Sequence, residues 1–295
     1  MVRRIQLKDI SALASGKTAL IRCPIGPRYR GIVLVLGNTA AGDAHGPAAS
    51  ALANEIRVVL GSTVQRRCTA AQLDVINTAM GAAYASGAYD GTGNGSGRRY
   101  LPIFFSEPWR ERISTTSVDT NALAWTTNWL GQNDIFQVEV DLAAITPALS
   151  AFAIVDDVKS TGPTGIMKWY TKTKGTTSSS LSVSDLFNGV SATDLFSQIS
   201  CFDTSDAKTV TAAKLDINGT RRWDLSANEQ LELLLKRGMN PAAGAYHIVF
   251  DHDDALNDLE PAAGVSDSLL DLTLSAASAG TIALISQRLG KPDAT

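Results

Sequence analysis

The sequence predicts an all-β protein built from two like domains with a few short helices, and three observations carry that prediction. Apolar or alternating runs of five to nine residues recur along the chain, separated by clusters of Gly, Pro, Asn, Asp and Ser. No rhythm of strand followed by long amphipathic helix is present, as a parallel α/β sheet would require. A strand–turn–helix unit in the first half recurs in the second half at a constant offset.

The strand runs are ALIRC (19–23), GIVLVL (31–36), EIRVVL (55–60), YLPIFF (100–105) and IFQVEV (135–140). FSQISCF (196–202), AAKLDI (212–217), YHIVF (246–250), SLLDLTL (268–274) and TIALI (281–285) follow. In IFQVEV, Phe136, Val138 and Val140 alternate with Ile135, Gln137 and Glu139, the period of two that gives a sheet unlike faces. Many short strands with regular turns point to a sandwich or barrel. Two segments break the pattern. In 69–81, Leu73, Ile76 and Met80 fall at helical spacing, with Thr69 as N-cap and Gly81 as stop. In 226–238, Ser226 and Glu229 form a capping box, Leu231, Leu234 and Leu235 an apolar face, and Lys236, Arg237 and Gly238 the end.

Both helices follow a strand, a glycine turn and a short polar stretch. An offset of 158 residues pairs Val59 with Ile217, Gly61 with Gly219, Gln72 with Gln230, Leu73 with Leu231, Asp74 with Glu232 and Ile76 with Leu234. Agreement over a whole supersecondary unit, at about half the chain length, reads as two copies of one domain. The linker-like mix VDDVKSTGPTG places the boundary near 155–166, giving domains 1–157 and 158–295.

A chain of 295 residues, 44% hydrophobic and 19% charged, buries one large core or two smaller ones. Its net charge of −3 carries no basic excess, so sequence-specific nucleic-acid binding is not expected. The first eight residues, MVRRIQLK, hold Arg3, Arg4 and Lys8 against no acid; an anionic lipid surface is one partner for them and bulk solvent the other. No apolar run approaches the ~20 residues that span a bilayer. The N-terminus shows no signal-peptide hydrophobic segment, so synthesis in the cytoplasm is expected. Cys23, Cys68 and Cys201 are too scattered for a disulfide framework or a zinc site; Cys23 and Cys201 read as small buried hydrophobes.

Catalytic constellations are not assembled. There is no GxSxG, and of the three histidines, His247 sits inside a strand as a structural residue. GTGNGSG (91–97) has the glycine density of a phosphate loop without the preceding strand or following helix, and reads as a surface loop. In DHDDALNDLE (251–260), Asp251, Asp253 and Asp254 are candidate calcium ligands beside Asp258, weighed against a solvated acidic loop. Trp109, Trp125 and Trp129 would give a carbohydrate- or receptor-binding β-sandwich its stacking platform; a filled core or interface is the competing use. A metal-dependent jelly-roll enzyme would need clustered histidines, which the sequence lacks.

Several stretches together resemble the major capsid protein of the corticovirus type, tailless icosahedral bacteriophages with an internal membrane and double-stranded DNA. They are CPIGPRYRGIVLVL (23–36), IRVVLGS with its helix (56–80), PIFFSEPW (102–109), VEVDLAAITPALSAFA (138–153), LDINGTRRWDL (215–225) and AYHIVF with the closing strands (245–288). The stretches 82–99 and 110–134 depart from the pattern. The resemblance implies two tandem eight-stranded jelly-roll β-barrels and no enzymatic activity. It also implies a homotrimer forming a pseudo-hexameric capsomer, with neighbouring capsomers, a vertex (penton) protein and the internal membrane as partners in the virion capsid. Structural calcium is associated with the family; no other cofactor is expected. Arg3, Arg4 and Lys8 would then face the membrane or a neighbouring capsomer, and removal of residues 1–8 should impair assembly but leave the trimer folded.

Overall fold

The structure is a computed structural model that describes residues 1–38, 48–80, 88–89, 98–106, 123–131, 133–143, 146–162, 164–203, 209–241, 244–250, 258–277 and 279–293. The chain begins with β1 (Arg3–Leu7), β2 (Ile10–Ser11), β3 (Thr18–Arg22) and β4 (Arg28–Asn38). Helix α1 (Ala49–Leu52), β5 (Ala53–Leu60), β6 (Thr63–Thr69) and helix α2 (Ala70–Ala79) follow. Next come β7 (Ala88–Tyr89), β8 (Arg98–Phe104), β9 (Trp125–Thr126), β10 (Phe136–Leu142) and β11 (Pro147–Asp156). Residues 157–165 lead to β12 (Ile166–Thr176), β13 (Ser180–Val183), β14 (Leu195–Asp203), β15 (Val210–Ile217) and β16 (Thr220–Ser226). The chain ends with helix α3 (Ala227–Lys236), β17 (Ala245–Val249), β18 (Glu260–Pro261), β19 (Ser268–Leu274) and β20 (Gly280–Gly290).

The strand order is that of two jelly rolls. In the first half, β1-β11-β4-β8 form one sheet and β3-β10-β5-β6 the other; in the second, β12-β20-β14-β17 face β13-β19-β15-β16. Position by position the two orders are the same. The sheets of the two halves also join: edge strand β6 meets edge strand β12 in parallel through the single pair Arg66 and Trp169. A ten-stranded sheet results, running from β17 to β2.

The repeat is in the structure, one residue away from where residue identities put it. Strands β5 and β6 and helix α2 correspond to β15, β16 and α3 at an offset of 157. At that offset the register shift between Val58 and Val59 falls on the shift between Leu215 and Asp216. The connecting turns agree as well: Gly61 and Ser62 have φ of 61° and 78°, Asn218 and Gly219 of 51° and 73°. Two successive left-handed residues make the two-residue turn whose twist matches the strands it joins. Capping boxes close on Thr69 with Gln72 and on Ser226 with Glu229. The 158-residue alignment was drawn by Gly61 with Gly219 and Gln72 with Gln230. Backbone geometry instead pairs Gly61 with Asn218 and Gln72 with Glu229.

Inward residues alternate as the pleat demands. Ala19 and Ile21, Ile32 and Leu34, Val138 and Val140, and Ala151 and Ala153 fill the first barrel. Phe196, Ile199, Cys201, Leu215, Ile248 and Leu284 are among those that fill the second. Cys23, Cys68 and Cys201 are free and buried, and burial pushes the thiols of Cys68 and Cys201 up to about 12.

Candidate functional site

The two barrels are like units, and the contact between them holds the most elaborate buried polar arrangement that links the two halves. Arg66, 3% exposed, sits at the seam between the two barrels. Its Nε donates to the Met167 carbonyl of the second barrel at 2.7 Å, and Nη1 donates to the Phe104 carbonyl of the first. The guanidinium carbon lies 5.2 Å from the ring centres of Phe105 and Trp125 and 5.0 Å from that of Trp169. A buried cation is tolerated here because a guanidinium is weakly hydrated and finds carbonyl oxygens and aromatic faces together. Around it, the Thr171 hydroxyl donates to the Arg67 carbonyl at 2.7 Å, Asn240 N to the Ala79 carbonyl at 2.8 Å, and Asp293 N to Gln65 Oε1 at 3.0 Å. Met167, Trp169, Phe202, Ala283 and Ile285 of the second half join the first half's core.

On the seam side of β14 and β17, His247 is fully buried. Its Nδ1 lies 2.9 Å from Ser200 Oγ and 3.1 Å from Gln198 Nε2. The amide nitrogen donates, so Nδ1 accepts and the proton resides on Nε2, which has no partner among the described residues. Burial pushes its pKa down to about 4. The unfolded chain therefore takes up a proton near pH 6.5 that the folded chain refuses until about pH 4. Stability is expected to fall by about 3 kcal/mol as pH drops through that window, with no further loss from this group below it. Urea titrations of wild type and His247→Gln at pH 7 and pH 4.5 measure this. Equal pH sensitivity in the two proteins would remove His247 from the account.

The repeat identifies the surfaces equivalent to this seam that remain open. The partner of β6 in the repeat is β16, and the partner of β12 is β1. Each is the outermost strand of its sheet among the described residues. The outer side of β1-β11-β4-β8 corresponds to the side of β12-β20-β14-β17 that the first barrel covers. It carries a groove of about 410 Å³ bordered by Arg4, Gly31, Val33, Pro102, Phe104 and Ile154. Val33, Phe104 and Ile154 are only half-buried there. Gly31 forms the floor, where a Cβ would come within 3.1 Å of the Ile103 carbonyl.

Arg3, Arg4 and Lys8 do not form one patch. Arg3 and Arg4 alternate faces at the start of β1, and exposed Lys8 follows its last residue, about 15 Å further along. Arg3 bonds Asp157 at 2.7 Å, and the Arg4 guanidinium lies 5.8 Å from the Phe152 ring centre. Strand β1 pairs with β11 over five residues and sends Leu7 into the core. Deletion of residues 1–8 thus removes a strand, and the expectation that it leaves the fold intact is corrected. Asp251, Asp253, Asp254, Trp109 and Gly81 lie outside the described residues. Trp125 is 1% exposed, and Trp129 donates its Nε1 proton to the Thr126 carbonyl at 2.7 Å. Trp125 therefore packs in the core and offers no stacking face, against the carbohydrate-binding reading. No cluster of three metal-ligating side chains occurs among the described residues.

The sequence model of the family described as the viral coat protein P2 N-terminal domain matches residues 4–159. The major capsid protein P2 of bacteriophage PM2 superposes with a TM-score of 0.77 at 19% identity, over 99% of this chain and 98% of that one. A PBCV-1 virus capsid chain gives 0.65 at 12% identity, over 100% and 97%. A chain from the structure of Sulfolobus Turreted Icosahedral Virus gives 0.66 at 11%, over 99% and 91%. No curated protein matches the sequence. At these identities the superpositions establish the fold, the double jelly roll.

Proposed function

The chain belongs to the viral coat protein P2 family, and from that premise we propose that it is the major shell subunit of its virion, working as a homotrimer. The two halves, 1–157 and 158–295, act as successive members of a ring of six barrels. The observation that carries this reading is the pair of open edges. The step that sets β6 of the first barrel beside β12 of the second leaves β16 and β1 with no further strand beside them among the described residues. Repeating that step between chains places β16 of one copy beside β1 of the next. Such a contact is heterologous, with different surfaces on its two sides, and heterologous contacts either close into rings or run on as fibres. Three chains supply six barrels, which suits near-sixfold packing in a shell.

The half-buried apolar groove beside β1 supports the same reading. Apolar area left half-open on a sheet marks a place where another surface docks. Such trimers would tile with neighbouring capsomers and a vertex protein over an internal membrane, with exposed Lys8 available to anionic headgroups, while Arg3 is bonded to Asp157 and Arg4 borders the contact between chains. Calcium held by Asp251, Asp253 and Asp254 belongs to the same proposal, on the donor chemistry of three carboxylates. Synthesis in the host cytoplasm completes it.

Light scattering tests the trimer: the expected mass is three times 31.2 kDa, and a monomer at high concentration overturns it. The edge contact has its own test. Chains bearing Arg4→Cys are co-expressed with differently tagged chains bearing Arg222→Cys and treated with a short bis-maleimide. Both positions are exposed, whereas the three native cysteines are buried. Crosslinks are expected only in the mixture. A trimer that shows none would retain the oligomer and refute the edges.

A further inference from the structure

At the end of the second barrel where β12 begins, the inward side chains change from apolar to charged. Along β20, Ile282, Leu284, Ser286 and Arg288 point inward, opposite Lys174, Lys172, Tyr170 and Lys168 of β12. The apolar core takes in Ile282 and Leu284. Beyond them, Lys168, 1% exposed by its side chain, bonds Asp194 and Asp293, each at 2.8 Å. Further along β12, level with Leu284 and Ile282 and away from this end, Lys174 bonds Asp185 at 2.9 Å, and Lys172 lies 3.6 Å from the same carboxylate.

Arg288 is the cation left over. Its Nε donates to Ser286 Oγ at 3.0 Å, and its guanidinium carbon lies 4.4 Å from the ring centre of Tyr170 and 4.8 Å from that of Phe196. Among the described residues nothing accepts from its two terminal nitrogens, and the Tyr170 hydroxyl has no partner either. Arg288 is only 5% exposed. Burial pushes its pKa down to about 10, against the opposing charge of Asp194. It borders a concavity of about 400 Å³ lined also by Tyr170, Val190, Ser191, Asp194 and Asp293. At the concavity two cations, Lys168 and Arg288, meet two carboxylates, Asp194 and Asp293; the Lys168 ammonium bonds both carboxylates, which leaves the terminal nitrogens of Arg288 without an acceptor among the described residues.

We propose that this concavity is a binding site for one phosphate-type oxyanion, gripped by the Arg288 guanidinium with help from the Tyr170 and Ser191 hydroxyls. A desolvated guanidinium with two unused parallel donors matches the spacing of two oxygens on one phosphorus, and charge-assisted pairs of this kind are the strong ones. Flanking rings hold the guanidinium plane in place without consuming its terminal donors. The anion comes either from free inorganic phosphate or from the phosphate of a lipid headgroup.

The test uses the full chain. Calorimetric titration with inorganic phosphate is expected to show one saturable site per chain. Arg288→Lys should abolish it, and Tyr170→Phe should weaken it about tenfold, the loss of one charge-assisted hydrogen bond. Tyr170→Phe keeps the ring and decides the matter should Arg288→Lys fail to fold. Flotation with phosphatidylglycerol or phosphatidylcholine vesicles separates the sources. Binding to vesicles that Tyr170→Phe weakens identifies the headgroup; phosphate binding without it identifies the free ion. No saturable phosphate binding by the wild type, or titrations identical in wild type and both variants, overturns the site.

Discussion

Replacing Arg66 with alanine is expected to cost about 3–5 kcal/mol of stability, read as a lowered urea midpoint with both barrels loosening together. The substitution takes the donor from two carbonyls, those of Met167 and Phe104, which belong to different barrels. It also opens a cavity among Phe105, Trp125 and Trp169, all of which are nearly buried. Arg66→Lys keeps the charge but has one nitrogen on a flexible stem, so it reaches one carbonyl and stacks on no ring plane. It should fall between alanine and wild type. A loss below about 1 kcal/mol for Arg66→Ala would place the residue among ordinary surface positions and refute its role as the seam's clamp. Loss of the trimer with unchanged monomer stability would be a different result, locating the residue's contribution between chains.

The strands that the sequence displays are mostly those in the middle of sheets. IFQVEV, GIVLVL and FSQISCF are flanked on both sides by other strands, so their inward faces are continuous and apolar. The strands it conceals are mostly edges: RRIQL in β1, TVQRRCT in β6, IMKWYTKTKGT in β12, SLSV in β13 and TRRWDLS in β16. An edge strand has one neighbour, exposes unpaired backbone and is commonly furnished with Lys and Arg against unwanted pairing. In four of these, charge erases the period of two on which reading a strand depends; SLSV keeps its alternation and is concealed by being only four residues long. Strand β11 is a central exception: Pro147 at its start and alanines inward blur the contrast.

The same physics hid the assembly surfaces. The seam is where edge strands meet, and Arg66 lies in TVQRRCT, which carries little apolar signal. The identity offset of 158 sets Arg66 against an acid and so conceals its structural counterpart, Trp223, 157 residues on. Both are buried opposite a register shift, at Val58 and at Leu215. Matching identities gave an offset of 158 because turns and caps accept several residue types for one backbone role. Asn218 and Gly61 both adopt a left-handed φ, and Glu229 and Gln72 both close a capping box. Roles repeat at 157, letters at 158. The two helices were legible because a cap is a local feature that no distant partner needs to complete; the expected apolar face of α3 is corrected, since of Leu231, Leu234 and Leu235 only Leu234 is buried and the other two are exposed.

Lys168→Met is expected to be at least as damaging as the loss of Arg66, again about 3–5 kcal/mol, because it strands a carboxylate in the protein interior. Asp194 is 2% exposed, and Lys168 contacts both of its oxygens, at 2.9 and 2.8 Å. It cannot swing out toward water: its amide donates to the Ser191 carbonyl and its carbonyl accepts from Ala262 N. Packing holds it from the other side, since a Cβ at Gly290 would lie 2.0 Å from Asp194 Oδ1. Asp293, with a third of its side chain exposed, can turn to solvent once the ammonium is gone. The damage should therefore trace to Asp194, and a second substitution shows whether it does. Lys168→Met combined with Asp194→Leu replaces a buried ion pair with apolar groups of similar size, a change that is often neutral. The double variant is expected to recover most of what Lys168→Met loses, giving a coupling energy of about 2 kcal/mol or more in a double-mutant cycle. Additive losses would mean that Lys168 contributes through its stem's packing, and the unpaired carboxylate would not be the cause.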